Sequence, residues 1–344
     1  GKLAVDWASF SERNGRFTLG AALAIKARVL LYVASPLHNP DNDVEKWKKA
    51  AAAAYDIISN PDLNYSLDSD YGAYFQGNRS LSSPETIYVV RREQSNAMES
   101  NNYPIATPGG ASGVTPTQNL VEAYEWVGGD PYANRDPRLA ASVVTNGSTW
   151  NGHVIDQSPG GRHDMSAPNA SKTGYYLKKF LTDNLDLTQG AKVQHNWVSY
   201  RYAEVLLNYA EAMNEAYGPD QAPGDYALTA LDALQLVRDR ASLQLPIVTA
   251  ATRDEFREAV KHERRIELAF EDHRYWDLLR WKDAMEVLNK PVRGVKVTKT
   301  GEGKWSYTQT EVATRTFLER NYYMPFTRSE VENSNHTLEQ NPGY

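Results

Sequence analysis

The sequence predicts a mostly α-helical fold of degenerate antiparallel helical hairpins. They carry an irregular, loop-rich region with short strands, and the chain closes on a β-hairpin and an extended tail. Three observations predict this. Apolar residues recur at steps of three and four in blocks running from Thr18 to Pro61, from Val198 to Val237 and from Asp254 to Leu288, the period of one helical face. Between the first two blocks that period fades into stretches rich in Gly, Pro, Ser and Asn. After Pro291 the spacing changes to two, which belongs to strands. The 344 residues therefore divide, within one domain, into a first helical hairpin (1–62), a loop-rich region (63–196), further helical hairpins (197–290) and a β-hairpin with an extended C-terminal segment (291–344).

Thr18 is placed to cap a helix that runs to about Ala34, where Pro36 disfavours helix at Ser35. Asp43 caps the next, in which Trp47, Ala50, Ala51, Ala54, Tyr55 and Ile58 share a face and Pro61 closes the segment. Two such helices with a short connection make a hairpin, the unit of tetratricopeptide-like arrays. The later hairpins are spaced more widely than the strict period of about 34 residues, so the repeat is degenerate. Within 63–196, strands are expected at Thr86–Arg91, Leu139–Thr145 and Tyr175–Phe180, with long loops at 103–118 and 156–174. Loops of that length in a compact domain tend to be functional or mobile. From Val198 a helix is expected with Tyr202, Val205, Leu206, Tyr209 and Met213 on its apolar face. Arg201, Glu204, Asn208 and Glu211 form a polar stripe that is solvated or docks against the arginines of 264–280. Its partner carries Ala227, Leu231, Leu234 and Val237; Thr252 or Asp254 opens the next helix, and 276–288 forms the partner of that one. Val295 and Val297 alternate with polar residues, as do Trp305 and Tyr307 beyond Thr300–Gly303, a β-hairpin pattern. The tail from Tyr322 has no helical period and is expected to lie extended over the helices.

The helix from Thr252 carries carboxylates where apolar residues belong. Phe256, Ala259, Val260, Ile266, Ala269 and Phe270 form its buried stripe, and Glu263 and Glu267 fall inside it. A core-facing carboxylate is costly unless paired, and Arg264, Arg265, Arg274 and Arg280 are close in sequence to pair with them. His262-Glu263 opens like a zinc-protease helix, but the residue four after His262 is Ile266, so that motif fails. Glu263 and Glu267 are read as members of a buried ion-pair network rather than as an acid and a base.

Composition narrows function further. There is no cysteine, which excludes disulfides, thiolate chemistry and Cys-based zinc sites. The formal charge of −6 and the lack of a long Lys/Arg run argue against a nucleic-acid partner. The most apolar stretch, Leu19 to Leu37, is broken by Lys26, Arg28 and Pro36 and does not span a membrane. Gly128-Gly129-Asp130-Pro131 is a turn without the Gly-Lys-Ser/Thr of a phosphate loop. Aromatic residues are plentiful, with 21 Tyr and 8 Trp, and many lie in the irregular region.

Several stretches resemble the SusD/RagB family. Glu263 to Glu271, His273 to Leu278 and Arg280-Trp281 resemble its C-terminal signature, and Tyr323 to Phe326, Glu330 and Leu338 to Tyr344 its closing segment. Gly20 to Tyr32, Asn134 to Leu139 and Arg201 to Ala212 add matches in the same order. The resemblance implies a lipid-anchored protein on the extracellular face of the outer membrane. Such a protein binds oligosaccharide or polysaccharide, in some members peptide, and delivers it to a SusC-like TonB-dependent transporter. In that family the helical hairpins face the transporter and the irregular region holds the ligand. It further implies that a signal peptide, an anchor cysteine and an N-terminal region belong upstream of Gly1, so that the membrane is reached only through an anchor absent from this chain.

Saccharides are held by aromatic rings under their C–H faces and by amide or guanidinium groups on their hydroxyls. On composition and placement, Tyr74, Tyr103, Trp126 and Trp150 are the expected stacking residues, with Asn101 and Asn102 as hydrogen-bonding partners. No catalytic residue, metal-ligand set or cofactor is assigned, and whether a Ca²⁺ orders a loop is left open. Two rival readings are a glycoside hydrolase, which needs two carboxylates at defined separation across a cleft, and a scaffold that binds protein alone through its helices.

Overall fold

The computed structural model describes residues 3–5, 15–335 and 337–344. The first hairpin pairs α1 (Leu19–Ala34) with α2 (Val44–Ile58). Thr18 caps α1 by accepting from the Ala21 amide, and Asp43 caps α2 by accepting from Glu45. Ala24 and Ala27 of α1 and Ala50, Ala51, Ala53 and Ala54 of α2 are buried, so small side chains let the backbones approach closely.

The irregular region follows. It contains the turns α3 (Tyr71–Tyr74) and α4 (Arg79–Ser82), strand β1 (Thr86–Ser95), and the short helices α5 (Ala97–Asn102), α6 (Gln118–Val121) and α7 (Arg138–Ser142). Then come two-residue strands β2 (Val143–Val144), β3 (Thr149–Trp150), β4 (His153–Val154) and β5 (Tyr176–Leu177). β2 pairs with β5 and β3 with β4, both antiparallel. The strand expected over Leu139–Thr145 is mostly helix, because Pro137 starts a turn that Asp136 caps through the Arg138 amide, and only its last residues reach β5.

The helix expected from Val198 begins later. β6 (Val193–Arg201) runs antiparallel to β1 first, and α8 (Tyr202–Tyr217) starts where the Tyr202 amide meets the Glu85 carbonyl. α8 is buried on every face from Ala203 to Ala216 and packs against α1, α2, α9 (Ala230–Arg238) and α10 (Arg253–Glu267). Its polar stripe docks rather than facing water: Glu204 accepts from Arg28, Asn208 from Arg264, and Glu211 from Arg280 and the Trp281 indole. α9 starts at Thr229 and α10 at Thr252, each closed by a capping box with Asp232 or Glu255. The partner expected over 276–288 is split into α11 (Arg274–Arg280) and α12 (Ala284–Leu288), because Lys282 adopts φ 62° between them.

β7 (Val292–Gly301) and β8 (Lys304–Ala313) form the expected hairpin, turned at Gly303 with φ 62°. It docks on the irregular region where the Val295 amide donates to the Thr173 carbonyl at 2.9 Å. The tail is less extended than its sequence suggests. Glu319–Tyr322 is a 3-10 turn anchored by Tyr322 on the Lys282 carbonyl, and Arg328–Asn333, α13, is capped by Thr327 and Glu330.

At the centre, Glu85, Asp136, Glu263, Glu267 and Glu271 face Arg138, Arg201, Arg238, Arg240 and Lys179, all buried. Glu263 joins Arg138 and, at 2.8 Å, Arg238; Glu267 joins Arg138 at 2.9 Å, Arg201 at 2.7 Å and Arg240 at 2.9 Å. The expected network is present, but its cations come from other elements. Of the arginines near in sequence, Arg264 and Arg280 instead hold Asp277. Five carboxylates against five cations leave the cluster neutral, the condition under which buried charge is tolerated.

Candidate functional site

Strands β1 and β6 make a two-stranded ribbon whose register slips by one residue between Arg91 and Gln94. Such a bulge re-aims side chains, and here Arg92 and Glu93 turn into an open cleft of about 450 Å³. The remaining lining comes from β6 (His195, Asn196 and Trp197), from α5 (Met98, Asn101 and Asn102) and from Phe75, Phe180 and Asp272. Phe180 meets Phe75 edge to face at 5.3 Å and Trp197 in a tilted contact at 5.7 Å, so three rings form a continuous wall. Phe180 and Asp272 both hold positive φ, at 73° and 61°. Strained backbone of this kind persists only where the surroundings impose it.

What imposes it lies behind the wall. Lys179 is fully buried, donating to Tyr71 Oη at 2.8 Å, Ala269 O at 2.9 Å and Glu271 Oε1 at 2.7 Å, with the Phe75 ring centroid 4.1 Å away. Burial lowers its pKa to about 8, while Glu271 opposes that shift. The central ion network thus reaches the back of the cleft and fixes its aromatic wall. On the other side, His195 Nε2 lies 2.8 Å from Oε1 of the buried Glu99, which also accepts from the Thr182 amide.

The cleft offers polar groups to a ligand. Asn196 Nδ2 donates to Asn78, but its Oδ1 is buried without a partner among the described residues. That oxygen is enclosed, so its missing partner is a cost borne by the fold at the edge of the cleft. Neither the Asn101 side chain nor the Trp197 indole N–H has a bond to another described residue. Among the described residues, no group of three or more His, Asp or Glu is placed to hold a metal ion.

The residues expected from sequence separate. Asn101 and Asn102 line this cleft, but the Asn102 amide is engaged, donating to Met98 O and accepting from the Val114 amide. Tyr74, Tyr103 and Trp150 are 1%, 0% and 3% exposed and pack edge to face against Phe75 or one another. Rings enclosed in this way present no face for stacking, so their role is in the core. Trp126 is 50% exposed but lines a different cleft, against the β7–β8 hairpin. Asn196 and Trp197 fall at the boundary between the loop-rich region, read to 196, and the helix expected from Val198, and Phe180 closes an expected strand, so none of the three stood out as a site candidate. The alternation of Val193, His195 and Trp197 was the available signal.

Residues 74–344 match the model of the SusD family. SusD-like protein P2 of Formosa agariphila is 25% identical over 338 residues, covering 94% of this chain and 60% of that protein. SusD-like protein P38 of the same organism is 25% identical over 314 residues, 81% of this chain and 55% of that protein. The chain therefore spans somewhat more than half the length of these relatives. Among solved structures, a SusD-like protein of Bacteroides fragilis superposes with a TM-score of 0.81 at 26% identity, covering 99% of this chain and 68% of that one. A SusD-like carbohydrate-binding protein of the same organism gives 0.78 at 27% identity, covering 96% and 66%.

Proposed function

The chain belongs to the SusD family, and from that premise we propose that it binds oligosaccharide without catalysis in the cleft between the β1–β6 ribbon and α5. The observation that carries this reading is the combination in one open cleft of the part-exposed rings of Phe180 and Trp197, backed by buried Phe75, with the Asn101 side chain and the Trp197 indole N–H, neither bonded to another described residue. Rings and amides are what a pyranose requires: C–H faces against the rings, hydroxyls on the amides. The similarity to a carbohydrate-binding protein of B. fragilis supports the same ligand class. The non-catalytic reading is supported by the conspicuous carboxylates: Glu263, Glu267 and Glu271 are each held by guanidinium or ammonium groups inside the core.

The natural setting proposed is the extracellular face of the outer membrane, with ligand passed to a SusC-like TonB-dependent transporter and the helical hairpins turned toward it. Family membership supports this. Among the described residues no helix is long and apolar enough to cross a membrane.

Each hydrogen bond exchanged with water contributes about 0.5–1.5 kcal/mol net and each stacked ring a similar amount, so affinities between about micromolar and millimolar are expected. Titration against a panel of glycans and peptides, with reducing-end release monitored in parallel, tests the reading. Glycan binding without release is expected. Binding of peptides alone would change the ligand class, and steady release of reducing ends would make the protein an enzyme.

A further inference from the structure

A second cleft, of about 480 Å³, lies where the segment after α6 meets the β7–β8 hairpin. It is built around a loop closed by a backbone bridge between Trp126 and Arg135. Gly128 and Gly129, both with positive φ, turn the tip, and Asp130 Oδ1 accepts from the amides of Tyr132 and Ala133. The Trp126 indole N–H donates to the Asp130 carbonyl at 3.1 Å, which fixes a half-exposed ring in place. Opposite it, Tyr132 packs edge to face on Tyr307 at 4.9 Å, and its hydroxyl lies 3.1 Å from that of Tyr175.

The charge balance of this cleft differs from that of the core. Glu122 is held by Arg293 and Gln309, and Glu125 by Arg238. His262 bonds the Ala123 carbonyl. Arg135 remains. Its Nε donates to Pro131 O and its Nη1 to the carbonyls of Val121 and Tyr124, which pin the guanidinium 5.2 Å from the Trp126 ring centroid. Among the described residues no carboxylate pairs with it and Nη2 has no acceptor. Burial lowers its pKa, and Tyr175, Tyr132 and Glu122 do not fully offset that. A guanidinium pre-positioned by three carbonyls, with one amino group open, is a directed receptor for an anionic oxygen.

We propose that this cleft is a second glycan site, distinct from the β1–β6 cleft, that takes an acidic saccharide unit with its ring on Trp126 and its carboxylate or sulfate on Arg135 Nη2. A uronate and a sulfate ester share the chemistry that Arg135 recognises, and two probes separate them. The flat, half-exposed indole beside the cation favours a sugar ring over an acidic peptide.

Calorimetric titration with tetragalacturonate, with a sulfated galactotetraose and with neutral galactotetraose tests this. At least one anionic probe is expected to bind about tenfold more tightly than the neutral one and to weaken as salt is raised. Trp126→Ala, on an exposed loop, is expected to lower that affinity about tenfold, whereas Trp197→Ala in the other cleft leaves it within about twofold. Arg135→Gln, checked for folding by circular dichroism, is expected to remove the preference for the anionic probe. No preference for either anionic probe, or unchanged affinity in Trp126→Ala, would overturn the proposal. So would tetraglutamate binding where neither saccharide does. Because Trp126→Ala and Trp197→Ala report on different clefts, loss of either site is visible while the other is retained.

Discussion

Glu263 illustrates how a single side chain can hold remote segments together. It receives Arg138 from the irregular region and Arg238 from α9, all three buried. Removing it takes one carboxylate from each, leaving Arg138 to Asp136 and Glu267 and Arg238 to Glu125, and leaves the buried cluster with one positive charge in excess, so Glu263→Ala is expected to cost on the order of 3–5 kcal/mol in chemical denaturation. Lys26→Ala, which breaks an exposed pair with Asp56, should cost less than about 1 kcal/mol. Unchanged stability in Glu263→Ala would contradict this assignment. Glu204 sets a pH dependence. Burial raises its pKa, but Arg28 and His273 outweigh that and bring it from 4.5 to about 2. Its folded pKa lies below its unfolded one, so its contribution is complete above about pH 4.5 and lost as pH falls through about 2, amounting to about 3 kcal/mol. Glu204→Gln should therefore flatten the loss of stability between pH 5 and 2 in acid titrations followed by circular dichroism. At this scale the sequence revealed that the carboxylates of α10 are buried but not which cations meet them. A pairing across elements leaves no mark in local spacing, whereas neighbours such as Arg264 suggest themselves and face another way.

Among the elements, the helices with clear caps and a one-sided apolar period were legible, and so was the β7–β8 hairpin. Where a sequence feature serves two structures, the reading slipped. The segment at 193–201 alternates like a strand but runs without a break into the apolar face of α8, so the helical period was extended backwards over β6. Reading helix from Val198 left the strand without its second half, so nothing placed His195, Asn196 and Trp197 together along one edge of the cleft. The hairpin offers a test of docking. A Cβ on Gly294 would lie 2.6 Å from the Thr173 Cα and 2.7 Å from its carbonyl oxygen, so only glycine allows β7 to approach that loop. Gly294→Ala is expected to cost about 1–3 kcal/mol by forcing the backbones apart, read as a lowered melting temperature. An unaltered melting temperature would show that the hairpin is not held there.

Across the whole molecule, two sets of buried ion pairs run side by side, one from α8 to the helices around it and one from α10 to the back of the proposed cleft. α8 is enclosed by helices, its Glu204, Glu215 and Glu211 hold arginines of α1, α10 and α11, and the central cluster extends through Lys179 to the rings of Phe75 and Phe180. The fold class was visible in the sequence because periodicity reports on it. Of the proposed cleft, only the region and the lining residues Asn101 and Asn102 were legible, because aromatic content alone does not tell a core ring from an open one. Tyr103 and Trp197 are alike in composition and opposite in placement. The most direct test is calorimetric titration of the wild type and of Trp197→Ala with a neutral oligosaccharide that the wild type binds. About a tenfold loss of affinity in the folded variant is predicted. An affinity unchanged within about twofold would contradict the assignment of the β1–β6 cleft as the glycan site.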